Sequence, residues 1–195
     1  MIKIGVTGNI GSGKTTFTKF FDIKKTYIFN ADKEAKKHLK NHSVLQRKIT
    51  NIFGKQILTS NELDFKKLAE VAFKNKKNQE ILNGIVWTEV SMLIQKDINE
   101  AENKGFNFFI VDAALLFEAN YNHFFDYIIL ITANKNLRLN RALNRKNMDL
   151  SQIKKRMALQ LSDKEKIQYS DYIIKNNSDL NYLKNQFEII LPQLT

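Results

Sequence analysis

The residues best suited to chemistry stand at the start of the chain. Gly8, Gly11 and Gly13, with Lys14 and Thr15, satisfy the pattern GxxxxGK[ST]. In that pattern successive backbone N–H groups turn inward and the following helix adds its positive end, so a polyphosphate is wrapped with no large side chain in the way. Lys14 is expected to reach the β- and γ-phosphates and the Thr15 hydroxyl to ligate Mg2+, with Ser12 and Thr16 in the same nucleotide cradle. Such a loop must lie between a strand and a helix. Here Ile2 to Thr7 is an apolar run of strand type, and Thr15 to Phe21 carries Phe17, Phe20 and Phe21 at helical spacing.

A nucleotide loop alone leaves kinases, switches, helicases and transporters open. In 195 residues there is no second nucleotide-hydrolysing core, which disfavours a motor. The guanine-reading NKxD is broken at its last position in Asn134-Lys135-Asn136-Leu137. A small-molecule kinase is the leading class, with a nucleic-acid-binding NTPase as the reading from a different class.

A kinase needs a carboxylate at the acceptor hydroxyl and cations at the equatorial oxygens. Asp32 follows a second short strand, Tyr27 to Phe29, and is the candidate base; the alternative is a cap for the next helix. Asp112 ends the apolar run Phe106 to Val111 and is placed to hold Mg2+ directly or through water, or else to cap a turn. Of five arginines, Arg138, Arg141, Arg145 and Arg156 crowd into one stretch, against 26 scattered lysines. On a helix the first three share a side, the arrangement of a mobile lid over ATP or of a solvated face. His38 and His42 have the i, i+4 spacing of a zinc pair, but HLKNH lacks the Glu of HExxH and shows no third ligand, so a solvated helix is expected.

The positioning elements follow from periodicity. Tyr127 to Ile131 is another buried run and Tyr172 to Ile174 a fifth short strand, with helices from Asn134 to Asn144, Leu150 to Gln160 and Leu180 to Leu191. From His42 to Lys104 the pattern is helical throughout, with turn signals at Phe53-Gly54 and Ser60-Asn61. Alternating strands and helices predict an α/β doubly wound sheet with a helical insertion on one side. With 43% hydrophobic residues the chain can build a core, and zero cysteines exclude disulfides, thiolate nucleophiles and Cys-ligated metals. A net charge of +11 permits a polyanionic partner, but the lysines form no strong stripe and have no interleaved aromatic platform. No apolar run approaches a membrane span and the N-terminus lacks signal-peptide character, so a cytoplasmic protein is expected, with no membrane, nucleic-acid or obligate protein partner.

The ordered set of motifs resembles the dephospho-CoA kinase family almost end to end. It comprises IGVTGNIGSGKTT at the start, FNADKEAKKHL, LNGI at 82–85, VDAALLFEA at 111–119, LNRALNRKNMDLSQIKKRMALQ at 139–160 and SDYIIKNNS at 170–178. That resemblance implies transfer of the γ-phosphate of ATP to the ribose 3′-hydroxyl of dephospho-CoA, with Mg2+, giving CoA and ADP. It implies a fold similar to nucleoside monophosphate kinases: a P-loop core with a five-stranded parallel sheet (about 1–32, 105–135 and 162–195), a helical acceptor domain (about 33–104) and a lid (about 136–161). Asp32 matches the second Asp of the family's DAD, which the resemblance implies is the catalytic base. Arg141 matches a lid arginine that contacts ATP, with Arg145 and Arg156 nearby. The chain departs from the pattern at Asn30, where the family has the first Asp of DAD, at Trp87-Thr88 for its HP, and at Ala114 for the Pro of PLLFE.

Overall fold

The apolar runs rich in Ile, Val and Phe become the strands of one sheet, its three central ones buried on both faces, in the computed structural model, which describes residues 1–145 and 148–194. In chain order the elements are β1 (Ile2–Thr7), α1 (Lys14–Thr18), β2 (Thr26–Asn30), α2 (Ala31–Asn41), α3 (Ser43–Phe53), β3 (Leu58–Thr59), β4 (Glu62–Leu63), α4 (Phe65–Ala72) and α5 (Lys76–Asn103). They continue with β5 (Phe108–Asp112), β6 (Tyr127–Thr132), α6 (Lys135–Asn144), α7 (Leu150–Ala158), α8 (Asp163–Ile167), β7 (Tyr172–Lys175) and α9 (Leu180–Ile190). Two compact units emerge, Met1–Asn30 with Ile94–Thr195 and Ala31–Leu93. Residues 146 and 147 of the expected lid, and Thr195, lie outside the described residues.

The sheet unit contains the parallel order β2-β5-β1-β6-β7. Register sets Asn30 opposite Asp112 and Val6 opposite Asp112, so the carboxyl ends of β2, β5 and β1 finish together. That edge is where parallel α/β sheets bind ligands. Against one face pack Phe17 and Phe21 of the segment after the loop and Phe187 of α9, with ring centroids 5.6 and 4.8 Å from Phe187 in edge-to-face geometry. These contacts fix the helix that carries the loop. They also explain why α1 stops at Thr18, short of the expected Phe21: Phe20 and Phe21 N–H groups turn to Phe17 and Thr18 carbonyls instead of extending the helix.

The helical unit has its own core of Leu39, Leu45, Ile49, Phe53, Ile57 and Leu68. The expectation of helix throughout 42–104 is corrected here. Leu58–Thr59 and Glu62–Leu63 pair antiparallel across Ser60 and Asn61, which hold φ of +50° and +65°. Asn tolerates that left-handed backbone, and two-residue strands are too short to show a period of two. The unit's boundaries, 31–93, stand beside the 33–104 read from the sequence, because α5 runs unbroken from Lys76 to Asn103. A further element, α8, begins at a Ser162 cap with Glu165 returning the capping-box bond. Among the described residues no helix is long and apolar enough to cross a membrane.

Candidate active site

The loop after β1 is built on backbone that side chains would obstruct. Gly8, Gly11 and Gly13 have φ of +143°, +78° and +104°. A Cβ at Gly11 would collide with the Arg138 backbone, and one at Gly13 with the Asn176 amide. Lys14 Nζ donates to the Gly8 carbonyl at 2.9 Å, arching over the loop from its far end. Thr16 is exposed and its N–H bonds Gly13 O at 3.1 Å. Ser12 is fully buried, and its Oγ has no hydrogen-bond partner, as is true of Asn9 Oδ1 and Thr7 Oγ1. Orphaned buried oxygens around one loop mark a site made for something else to bind.

Thr15 and Asp112 meet. The Thr15 hydroxyl donates to Asp112 Oδ2 at 2.6 Å, and the Asn30 amide donates to the same oxygen at 3.1 Å. Asp112 is 3% exposed, and both donors to its Oδ2 are neutral. A buried carboxylate that takes its hydrogen bonds from neutral donors favours a nearby positive charge. Hydroxyl and carboxylate oxygens form the hard donor set that Mg2+ takes, usually while keeping several waters. The residues present therefore fit that ion. Asn30 thus supplies a neutral donor to the carboxylate where an aspartate would have brought a second negative charge.

Arg141 reaches the loop through Asn176. Its Nη1 donates to Asn176 O at 2.9 Å and its Nη2 to Ser178 O at 3.5 Å, while Asn176 Nδ2 donates to Ser12 O at 2.8 Å. Burial pushes the Arg141 guanidinium down from its very high ordinary value, without threatening its charge. Arg138 faces elsewhere, toward Asp163 at 3.8 Å, with its backbone against Gly11. Arg145 caps the end of α6 in the open, and Arg156 is half-buried on α7. Thus Arg141 is joined to the loop network and Arg145 is not. Asp32 belongs to the helical unit, where it is exposed in the first turn of α2, inside the helix and not at its cap.

A second layer escaped the reading of single residues. The Gln160 side chain accepts from Ile10 N at 3.0 Å, and the Asn9 amide donates to Leu161 O and to Asp163. The loop is therefore tied to the segment after α7. Below it lies an ion pair between Lys166, fully buried, and Glu118, at 3.1 Å. Lys166 also donates to Ala114 O, and Glu118 accepts from Leu161 N. Burial pushes the Lys166 ammonium down, and Glu118 opposes the shift. The signal for these residues lay in motif spacing, since LLFE, R-x3-Q and D-Y-I-I-x-N-N carry Glu118, Gln160 and Asn176.

Beside the Arg141 carbonyl partners, Asn134, Lys135, Asn136, Leu137, Asn140 and Asn177 line a shallow cavity of about 550 Å³. Its lining offers amides and one lysine but no carboxylate.

Residues 2–181 match the family model described as dephospho-CoA kinase. A dephospho-CoA kinase of Fusobacterium nucleatum is 37% identical over 186 residues, 95% of this chain and 94% of the relative. One from Chlamydia abortus is 31% identical over 189 residues, 96% of this chain and 94% of the relative. Among solved structures, a dephospho-CoA kinase from Campylobacter jejuni superposes with a TM-score of 0.69 at 27% identity, covering 98% of this chain and 96% of that one. A Thermus thermophilus protein, at 24% identity and a TM-score of 0.81, shares the fold.

Proposed function

The chain belongs to the dephospho-CoA kinase family, and from that premise we propose which of its residues carry the reaction. The protein phosphorylates dephospho-CoA with ATP to give CoA. Gly8, Gly11, Ser12, Gly13, Lys14, Thr15 and Thr16 bind the polyphosphate, with Lys14 leaving the Gly8 carbonyl for the β- and γ-oxygens. Arg141 and Arg145 bring positive charge to the nucleotide from a lid of about 136–161, above a core of about 1–32, 105–135 and 162–195. Thr15 and Asp112 would hold Mg2+, which when bound supplies positive charge to the β- and γ-phosphate oxygens.

Asp32 is the general base. It takes the proton of the acceptor hydroxyl as that oxygen attacks the γ-phosphorus, and ADP leaves on the opposite side. Chain continuity supports the assignment: Asp32 is two residues beyond Asn30, and two residues span at most about 7 Å. The helical block, about 33–104, receives the acceptor. The nucleobase rests in the amide-lined cavity, whose lack of a carboxylate suits adenine; guanine would present N1–H and N2–H donors that ask for one. The enzyme works in the cytoplasm on ATP and dephospho-CoA, without nucleic acid, membrane or obligate protein partner.

The observation that carries this reading is the Thr15–Asp112 contact of 2.6 Å at the end of the glycine loop. The test is product analysis with Mg-ATP and dephospho-CoA beside nucleoside and nucleotide acceptors. CoA and ADP are expected with dephospho-CoA, and only slow ATP hydrolysis with the others. Equal turnover of all acceptors would contradict the assignment.

A further inference from the structure

The helical unit holds a cluster that the phosphoryl-transfer chemistry leaves unused. His38 sits in the last turn of α2, His42 at the corner between α2 and α3, and Glu89 on α5. From sequence the two histidines lacked a third ligand. Folding supplies it from a residue 51 positions past His38: His38 Nε2 and Glu89 Oε2 are 3.0 Å apart. One donor atom from each of the three residues falls within 4.8 Å of the others. The two imidazole rings lie 4.9 Å apart, centre to centre.

The three groups are also held in place. His42 is placed at the corner by accepting the Leu45 N–H at Nδ1, 3.1 Å away, a bond that a metal would replace, and the side chains of His38 and Glu89 are each 23% exposed. They are neither freely solvated nor sealed from an incoming ion. Two imidazole nitrogens and one carboxylate oxygen form a donor set of intermediate softness, the three-ligand set found where zinc keeps a fourth position for water. Bonds of about 2.0–2.1 Å set tetrahedral ligand atoms roughly 3.3 Å apart, so the widest pair must close by at most about 1.5 Å, within reach of side-chain rotation. Mg2+ prefers all-oxygen shells and does not compete here. With no cysteine in the chain, no thiolate competes for a borderline metal.

We propose that His38, His42 and Glu89 form a binding site for one borderline divalent cation, Zn2+ foremost, inside the helical unit. Binding takes a lone pair from each ring: any proton between His38 Nε2 and Glu89 moves to Nδ1 or to solvent, His42 exchanges its cap on the Leu45 N–H for the metal bond, and the ion ties the α2–α3 corner to α5. The site is separate from the Thr15–Asp112 pair and does not depend on the assignment of the reaction.

The test uses the untagged full chain, freed of metal by chelator and dialysed, then titrated with Zn2+ alone against a chromophoric competitor. One ion per chain and a raised melting temperature are expected. His38→Gln and Glu89→Gln should each weaken binding at least about tenfold, in keeping with the loss of one of three ligands. His42→Asn keeps an acceptor for the Leu45 N–H, so it removes the ligand without removing the cap. His123→Gln changes the only other histidine and should leave affinity intact. Melting of each metal-free variant identifies any that fails to fold, and the remaining two then carry the test. Wild-type affinity retained in the three site variants, or no binding by the wild type above buffer, overturns the proposal. Loss of binding in His123→Gln with the site variants unaffected overturns it as well.

Discussion

The sheet unit and the helical unit use polar residues in opposite ways. Among the described residues, the sheet unit buries Thr7, Asn9, Ser12, Thr18, Thr26, Asp112, Lys166 and Asn176, whereas the helical unit buries Gln79. Most of the former ring the glycine loop, and several of their atoms stay unpartnered. Apart from Gln79, the helical unit keeps an apolar core and leaves its described polar groups on exposed or half-buried faces. Buried, partly satisfied polar groups cost stability and are retained where charge must be met by a fixed environment. The phosphate apparatus is pre-organised in this sense, while the helical unit is held by ordinary packing and helix caps.

That contrast can be broken most directly at Lys14. Lys14→Ala should lower kcat about 10³-fold or more, since a preorganised cation at the transferred group is lost, with little change in melting temperature. A small kinetic loss would mean that the loop is not the site of charge development. In the layer beneath the loop, Glu118→Ala leaves Lys166 buried without its partner, a loss of about 3–5 kcal/mol. At roughly 2–4 °C per kcal/mol for a chain of this size, the melting temperature should fall by about 6–20 °C. A shift no larger than that of an exposed substitution would show that the pair is not buried in solution.

Asn30→Asp sharpens the contrast further, because it places a second carboxylate against Asp112 Oδ2 where an amide now donates. Like charges at that distance repel, so the metal-free variant should melt lower than the wild type, and added Mg2+ should recover more stability in the variant. Equal Mg2+ responses would argue against an ion at Asp112. The smallest effect is expected in the helical unit, at the α4 cap. The Lys67 N–H and the Thr59 hydroxyl hold the Asp64 carboxyl below its ordinary 3.8. A depressed acid stabilises the fold above its unfolded pKa, and that contribution is lost as pH falls through the folded value. Melting measured downward from pH 5 should therefore decline more for the wild type than for Asp64→Asn, and parallel declines would remove the carboxylate from the account.

Legibility in the sequence followed the range of the contacts. The loop could be read from eight consecutive residues because glycine is the residue that takes positive φ beside another backbone. The three central strands could be read because burial on both faces leaves near-continuous apolar runs such as Phe-Phe-Ile-Val, and the two edge strands by shorter apolar runs. Asp112 could be singled out by its position at the end of one run, but its contact with Thr15 and Asn30 required the register of β1, β2 and β5. Arg138 reads as a lid residue by its i, i+3 spacing to Arg141, yet its backbone packs against Gly11 and its side chain turns to Asp163. Glu118 with Lys166, and His38 with Glu89, are pairs separated by 48 and 51 positions, and no local pattern records such contacts.

The most direct test of the central claim is single-turnover CoA formation by Asp32→Asn, with Mg-ATP and dephospho-CoA saturating and ATP affinity measured separately. Loss of a general base predicts a fall of about 10²- to 10⁴-fold with ATP binding unchanged, and loss of the acid limb of the pH–rate profile. A variant that makes CoA at the wild-type rate, with the same pH profile, would contradict Asp32 as the base and move the proton acceptor elsewhere.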